Sequence, residues 1–597
     1  MRKITPLLWL LATVLWPGEG ASAASVPAAP PALVYSTYLG NWFVTGLAVD
    51  AAGSAYVVGT ALSPALAQGG VPPATGVQKT FGGGNADAFV AKVAPGGNAF
   101  LWTTYLGGSG DDLGSAVAVD AQGNVWVAGR TFSSDFPFKN GFQSRGTVFV
   151  SKISADGSQL LYSTAFGGSA GDVVSSIATD AAGAIYLAGE ADSPDFPTVS
   201  AFQTARRGFS DAYVAKIGAS GSLAYATLLG GDSFDEAFGL AVDAEGRAFV
   251  TGYTYSANFP ATNGPQAAFG GKNDGFLSVV APDGASLLAS TYFGGEGQDV
   301  GHGVAVGPAE AGREAVLLVG SRDPAPGQAA RARSVRSPAH APDGAKLYES
   351  RFLFTISPPA LVLSRALDGG LEGVGFGVAG GPSGRFAVIG STGSSTLSTL
   401  DPIQAAPLGF QDLFVQEIDT SGTLRFASYF GSSGTDLPIA VAADSVGNIW
   451  IAGEAGAPDL SLKSAIPGYT KGGFLAKIAT GTGTIPCAAA ETTLCLGGSR
   501  FRVEAAWRTP AAGGGGAGVA VPSTSDAGAF WFFSSNSIDL AVKVVNGTAF
   551  NGKFWVFVAG LSDIEYTVTV TDTITGAAKT YVNPSGTLAS RADTAAF

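Results

Sequence analysis

Short runs of alternating apolar and polar residues recur along most of the chain, set between turns rich in Gly, Asp and Ser. AVAVD (Ala116–Asp120) and VWVAG (Val125–Gly129) both alternate with period 2 and flank a D-A-x-G turn. Alternation of this kind predicts half-buried strands, and the turn predicts a hairpin. The Asp carboxylate accepts turn N–H groups, and the glycine takes the positive φ. Asp50 with Gly53, Asp180 with Gly183 and Asp243 with Gly246 repeat this pattern. A third strand follows, clearest at Asp87–Val93 and Asp211–Ile217, and a YSTYLG-like strand closes each unit.

The units are in phase. Aligned glycines fall at Gly40, Gly107, Gly167, Gly230, Gly294, Gly369 and Gly431. A second glycine ends each VWVAG-like strand: Gly59, Gly129, Gly189, Gly252, Gly320, Gly390 and Gly453. Four strands repeated seven times predict an all-β, seven-bladed β-propeller of four-stranded blades over residues 33–485. A solenoid would need polar capping repeats, and the sequence has none. The motifs YSTYLGG, GDD…AVAVDAQGNVWVAGRTFSSDFP and DAYVAK resemble those of the seven-bladed β-propeller (SBBP) repeat family. That resemblance implies an exported or surface-located protein and assigns no activity. The last unit has no YSTYLG strand of its own, so Leu33–Leu39 is expected to complete the blade that contains Phe474–Ile478.

Composition agrees with this reading. Glycine makes up 86 of 597 residues, and charged residues only 13%. Good helix formers are correspondingly scarce. Residues 1–23 read as a secretory signal peptide: basic Arg2 and Lys3, an apolar Leu7–Trp16 stretch, then Ala21-Ser22-Ala23. Residues 24–32 read as a linker, and no later stretch is long enough to span a membrane as a helix. The expected product is secreted, extracellular or on the cell surface. A net charge of −13 argues against a nucleic-acid partner. Cys487 and Cys495 are the only cysteines, and in an exported chain they predict a disulfide.

Candidate chemistry sits on the face formed by the fourth-to-first and second-to-third connections, which are the long ones. A carboxylate recurs after the aligned glycine at Asp112, Asp172, Asp235, Asp299 and Asp436. Such a column suits Ca²⁺ if it lines the channel mouth. The preferred reading is that each Asp caps its own glycine turn, with no cofactor required. Arg322, Arg331, Arg333, Arg336 and His340 form a basic insert in the fifth unit, suited to an acidic glycan or another anion. His302 occupies a repeat position, which points to packing. The G-x-S-x-G match at Gly167–Gly171 is the repeat's own turn, with no helix to make a nucleophile elbow.

Residues 486–597 change period and predict six or seven short strands, an immunoglobulin-like β-sandwich. They resemble a C-terminal module of secreted bacterial proteins through CLGGSRFRVEAAW, FWFF and GKFWVFVAGL. Trp507, Trp531 and Trp555 are expected in its core. The functional expectation is a monomeric, non-enzymatic scaffold for extracellular protein or glycan. Two other readings stand beside it: a lyase-like carbohydrate-active enzyme using the long-connection face, and a structural surface or matrix component.

Overall fold

The computed structural model describes residues 31–63, 72–307, 314–322, 348–357, 360–366, 374–381, 384–480, 491–496, 501–509, 513–524, 526–547, 553–572 and 578–596. Residues 1–23, expected to be a signal peptide, and Arg331, Arg333, Arg336, His340 and Cys487 lie outside them. Every regular element among the described residues is a β-strand. The strands form seven four-stranded and two five-stranded sheets.

In six of the four-stranded sheets the strands follow chain order. In the seventh, Leu437–Ala443, Ile449–Ala455 and Gly472–Ala479 are joined by the first strand of the chain, Ala32–Gly40. Tyr38 lies opposite Phe474 and Leu33 opposite Ile478, as the missing strand of the last unit predicts. First strands of successive sheets pack against one another in cyclic order, and Leu437–Ala443 returns to Phe43–Val49. The ring is therefore closed, with first strands innermost, and the architecture is a β-propeller.

Each innermost strand carries a β-bulge at the same place. The extra residues are Thr45, Ser115, Ser175, Phe238, His302, Phe376 and Ile439. Bulges sharpen local twist and re-aim side chains. They also explain the second glycine column. A methyl on Gly59, Gly129 or Gly189 would overlap the carbonyl oxygen of Phe43, Leu113 or Val173, just ahead of the bulge. The other four glycines meet Glu236, Val300, Val374 and Leu437 in the same way. None of the seven has a positive φ, so close approach rather than turn geometry demands glycine here.

On the short-turn face the hairpin Asp pairs with a Lys of the third strand over an aromatic ring. Lys152 is 2.8 Å from Asp120 and sits over Trp126, and Lys477 is 3.2 Å from Asp444 and sits over Trp450. At the rim, second-to-third connections fold down along the fourth strands, bridging Gln78 to Tyr105, Val199 to Ala226 and Leu400 to Ala427. These bridges occupy strand edges that would otherwise invite pairing with other chains.

The two five-stranded sheets lie after residue 490 and share one core that includes Phe501, Phe530, Leu540, Val556 and Val568. The tryptophan expectation is corrected here. Phe530, Phe532, Phe554 and Val556 take the inward positions, so period 2 turns Trp531 and Trp555 outward. Trp507 packs at the core margin against Phe532 and Phe533.

Candidate functional site at the channel mouth

Alternation along the innermost strands leaves two residues per sheet half-exposed toward the channel. The upper ring is Phe43, Leu113, Val173, Glu236, Val300, Val374 and Leu437, and the ring below it is the seven bulge residues. The upper ring is apolar except for Glu236. The lower ring divides into a hydroxyl side, Thr45, Ser115 and Ser175, and a bulky side, Phe238, His302, Phe376 and Ile439.

Glu236 accepts a hydrogen bond from the Tyr253 hydroxyl at 2.9 Å. Burial, then the Glu236 charge, pushes the Tyr253 phenol up, so it serves as a neutral donor. Phe238 packs against Tyr253 and stacks on His302 at 5.8 Å, and Phe376 flanks the same imidazole at 5.6 Å. His302 Nε2 is 3.2 Å from Ser321 Oγ. Desolvation by these walls lowers His302 to about 4, so the ring is neutral at pH 7. Glu236 was missed in the sequence. The signal available was a lone acid in a column otherwise held by Phe43, Leu113, Val173, Val300, Val374 and Leu437.

The aspartate column lies behind the rings, buried. Asp112 accepts from Gly108 N and Ser133 Oγ, both at 2.7 Å. Asp172 accepts from Gly168 N at 2.6 Å and from Ser193 N and Oγ, and Asp235 from Gly231 N at 2.8 Å and Ser256 Oγ at 2.9 Å. Asp299 accepts from Gly295 N at 2.8 Å, and Asp436 from Ser432 N at 2.6 Å and Gly456 N at 2.9 Å. In this geometry Asp112, Asp172, Asp235 and Asp436 each tie their own turn to the start of the second-to-third connection, and Asp299 caps its own turn.

A second carboxylate column, unread in the sequence, opens the third strands at Asp87, Asp211, Asp274 and Asp412. Its members cap the second-to-third connections: Asp412 accepts from Leu408 N and Gly409 N, both at 2.9 Å. A glutamine donates to Asp211, Asp274 and Asp412. Gln404 Nε2 donates to Asp412 at 2.8 Å while its Oε1 accepts from Gly431 N at 3.1 Å, and Gln203 does the same for Asp211 and Gly230. The two columns meet across the aligned glycine. The face of Gly294, for example, is closed by Asp299 Oδ2 and Asp274 Oδ1. Two buried carboxylates this close resist joint ionisation. Asp87 rises to about 7, through burial first and then the charges of Asp112 and Asp111; Asp235 rises to about 6, through burial and then Asp211.

Among the described residues one group of three carboxylates stands close together, Asp243, Glu245 and Glu314, on the short-turn face. The Arg247 guanidinium already lies among them, bonded to Asp243 and 2.6 Å from Glu314. The motif serine Ser169 donates to Asp195 Oδ1 at 2.9 Å and serves its turn.

Around the mouth the long connections present exposed rings. Phe209 and Phe234 come from two different connections and stack at 4.9 Å with an interplanar angle of 16°. They remain 66% and 47% exposed. Arg206 braces this pair by donating to Phe209 O at 2.6 Å. Arg130 lies over Phe132 at 4.8 Å, and Phe410 is exposed in the sixth sheet's connection.

Residues 101–137 and 224–260 match the SBBP β-propeller repeat. Two segments of the propeller therefore match this repeat. It is 28% identical over 242 residues to the regulatory protein FlaEY of Caulobacter vibrioides. The match takes in 37% of this chain and 24% of that protein, so the chain spans about a quarter of the curated relative's length. A Dyadobacter fermentans protein of unknown function aligns over 75% of this chain and 99% of its own, at 10% identity and TM-score 0.35. The Dos1 propeller aligns over 79% and 93%, at 12% identity and TM-score 0.30.

Proposed function

We propose that the protein is a secreted binding scaffold, a seven-bladed propeller followed by an immunoglobulin-like sandwich, that recognises extracellular protein or glycan through its long-connection face. Residues 1–23 direct export in this reading, Cys487 and Cys495 are bridged in the oxidised product, and the mature chain acts as a monomer. The observation that carries it is the Phe209–Phe234 stack. Two aromatic rings held parallel and half-open to water are an expensive surface unless a partner covers them. The buried aspartates Asp211 and Asp235 beside them are engaged in turn capping, which favours apolar contact as the recognition chemistry of this patch. Arrays of extracellular glycans and proteins probed with the mature chain test the reading. Binding lost on Phe209→Ala with Phe234→Ala, at unchanged melting temperature, supports it. Binding that survives this double change overturns it.

A lyase-like reading keeps one observation in its favour, the Glu236, Tyr253 and His302 group at the mouth. Proton abstraction needs a base within reach of substrate. Product formation from polysaccharide that vanishes in Glu236→Gln would establish it.

A further inference from the structure

The second five-stranded sheet of the C-terminal segment turns one face to the core and the other outward. The outward face holds a groove of about 710 Å³. Strand register explains the hollow. Ala529 stands opposite Ala541, Ala541 opposite Ala559, and Ala559 opposite Ser590. A row of four small side chains thus crosses four strands, a floor about 14 Å long at ~4.8 Å per strand. The next row on the same face carries Lys543 opposite Phe557, which raises one wall. Ile538 and Leu561, 51% and 57% exposed, form the other.

The lining has a sign as well as a shape. It contains no acid, although the whole chain carries 46 acids against 33 bases. Its two bases differ. Arg591 turns its guanidinium to Val582 O at 3.3 Å and closes the edge between the two sheets. Lys543 is exposed at the wall and has no hydrogen-bond or ion-pair partner among the described residues.

We propose that this groove binds one molecule of a free long-chain carboxylate, with the hydrocarbon on the alanine floor and the carboxylate on Lys543. Each methylene laid on the floor leaves water, which favours a long chain over a short one. An ammonium head would meet Lys543 and no counter-charge. A neutral head would leave the lysine unpaired beside buried hydrocarbon. The floor is a single row of small side chains, which seats one chain. The groove belongs to the C-terminal segment and is independent of the channel mouth.

Calorimetric titration of the mature full-length chain with decanoate, decanol and decyltrimethylammonium, each as monomer, tests this. Decanoate is expected to bind one to one, with decanol and the ammonium about tenfold weaker or more, the scale of one charge-assisted bond. Lys543→Gln removes the preference for decanoate and leaves decanol unchanged. Ala541→Phe fills the floor and abolishes binding of both; Ala559→Leu repeats the block from the next strand should the first variant fail to fold. Equal affinity for the three heads, binding that survives both floor variants, or binding to anionic vesicles without binding to monomer would overturn the assignment.

Discussion

The Tyr38 hydroxyl donates a hydrogen bond to the carbonyl oxygen of Ala457 at 2.9 Å, joining residues 419 positions apart. The Tyr38 hydroxyl oxygen in turn accepts from Leu460 N at 3.2 Å. Both bonds cross the seam where the first strand completes the last sheet. Tyr38→Phe leaves the buried Leu460 N–H and the half-buried Ala457 carbonyl without these partners, and the expected loss of stability is about 1–3 kcal/mol. Chemical denaturation measures it. Removing residues 33–40 strips the whole outer strand, and a much larger fall in melting temperature is expected. A truncated chain as stable as the parent would show that the seam contributes little.

The glycine column gives a sharper mutational signature. In Gly189→Ala the new methyl meets the Val173 carbonyl oxygen, a backbone atom that cannot swing away. The expected penalty is about 1–3 kcal/mol or more, as for other overpacked interiors. Gly295→Ala, where nothing lies within 4 Å, serves as the control and should be nearly neutral. Similar melting temperatures for the two variants would contradict the close-approach explanation.

The facing carboxylates predict an inverted pH response. The folded pKa of Asp87, about 7, lies above its ordinary value of 3.8, so the native state holds this proton more tightly than the unfolded chain. Asp235, raised to about 6, acts in the same sense. Their contribution is fully present below pH ~4 and is lost as pH rises through the window up to about 6–7. Asp87→Asn keeps a neutral side chain at every pH. Its melting temperature should fall less than the parent's between pH 5 and 8, both scans being followed by circular dichroism. A parent whose stability rises steeply across that window would refute the pairing argument.

Turn capping and calcium binding by the aspartate column make opposite forecasts. Asp436 accepts from Ser432 N through one carboxylate oxygen and from Gly456 N through the other, so Asp436→Asn, which keeps one oxygen and makes the other a donor amide, leaves one of these N–H groups without its acceptor. The expected loss is about 1–3 kcal/mol, equal with and without calcium. A melting temperature that rises by several degrees with calcium in the parent and not in the variant would reassign the column to metal.

Much of the propeller was readable in the sequence because repetition keeps its signals in phase. Every D-A-x-G turn and every aligned glycine supports the same four-strand unit, and the strand missing from the last unit points to Leu33–Leu39. What sequence alone did not reveal depends on which strand is innermost. The purpose of Gly129 appears only once the bulge at Ser115 brings the Leu113 carbonyl against it. Phe209 and Phe234 sit in separate connections, and only the antiparallel order of their sheet and its neighbour stacks them. Glu236 was hidden for a different reason: one acid stands out only against the six apolar residues that share its level in the ring. In the C-terminal segment, counting tryptophans as core failed because period 2 gives Phe530 and Phe532 the inward places and leaves Trp531 between them outside.

The seam also sets the order of events during synthesis. The strand Ala32–Gly40 leaves the ribosome first, while its partner Gly472–Ala479 is among the last parts of the ring to be made. At about 5–20 residues per second the interval is roughly 20 to 90 seconds. Throughout that time the first strand has an unsatisfied edge and the growing ring is an open arc. Ring closure joins the longest sequence separation in the propeller, so it pays the largest loop-closure entropy and is expected to be the slow, final step of folding. A nascent chain arrested before residue 472 should therefore bind strand-capturing chaperones through residues 32–40 and release them once the last sheet is complete.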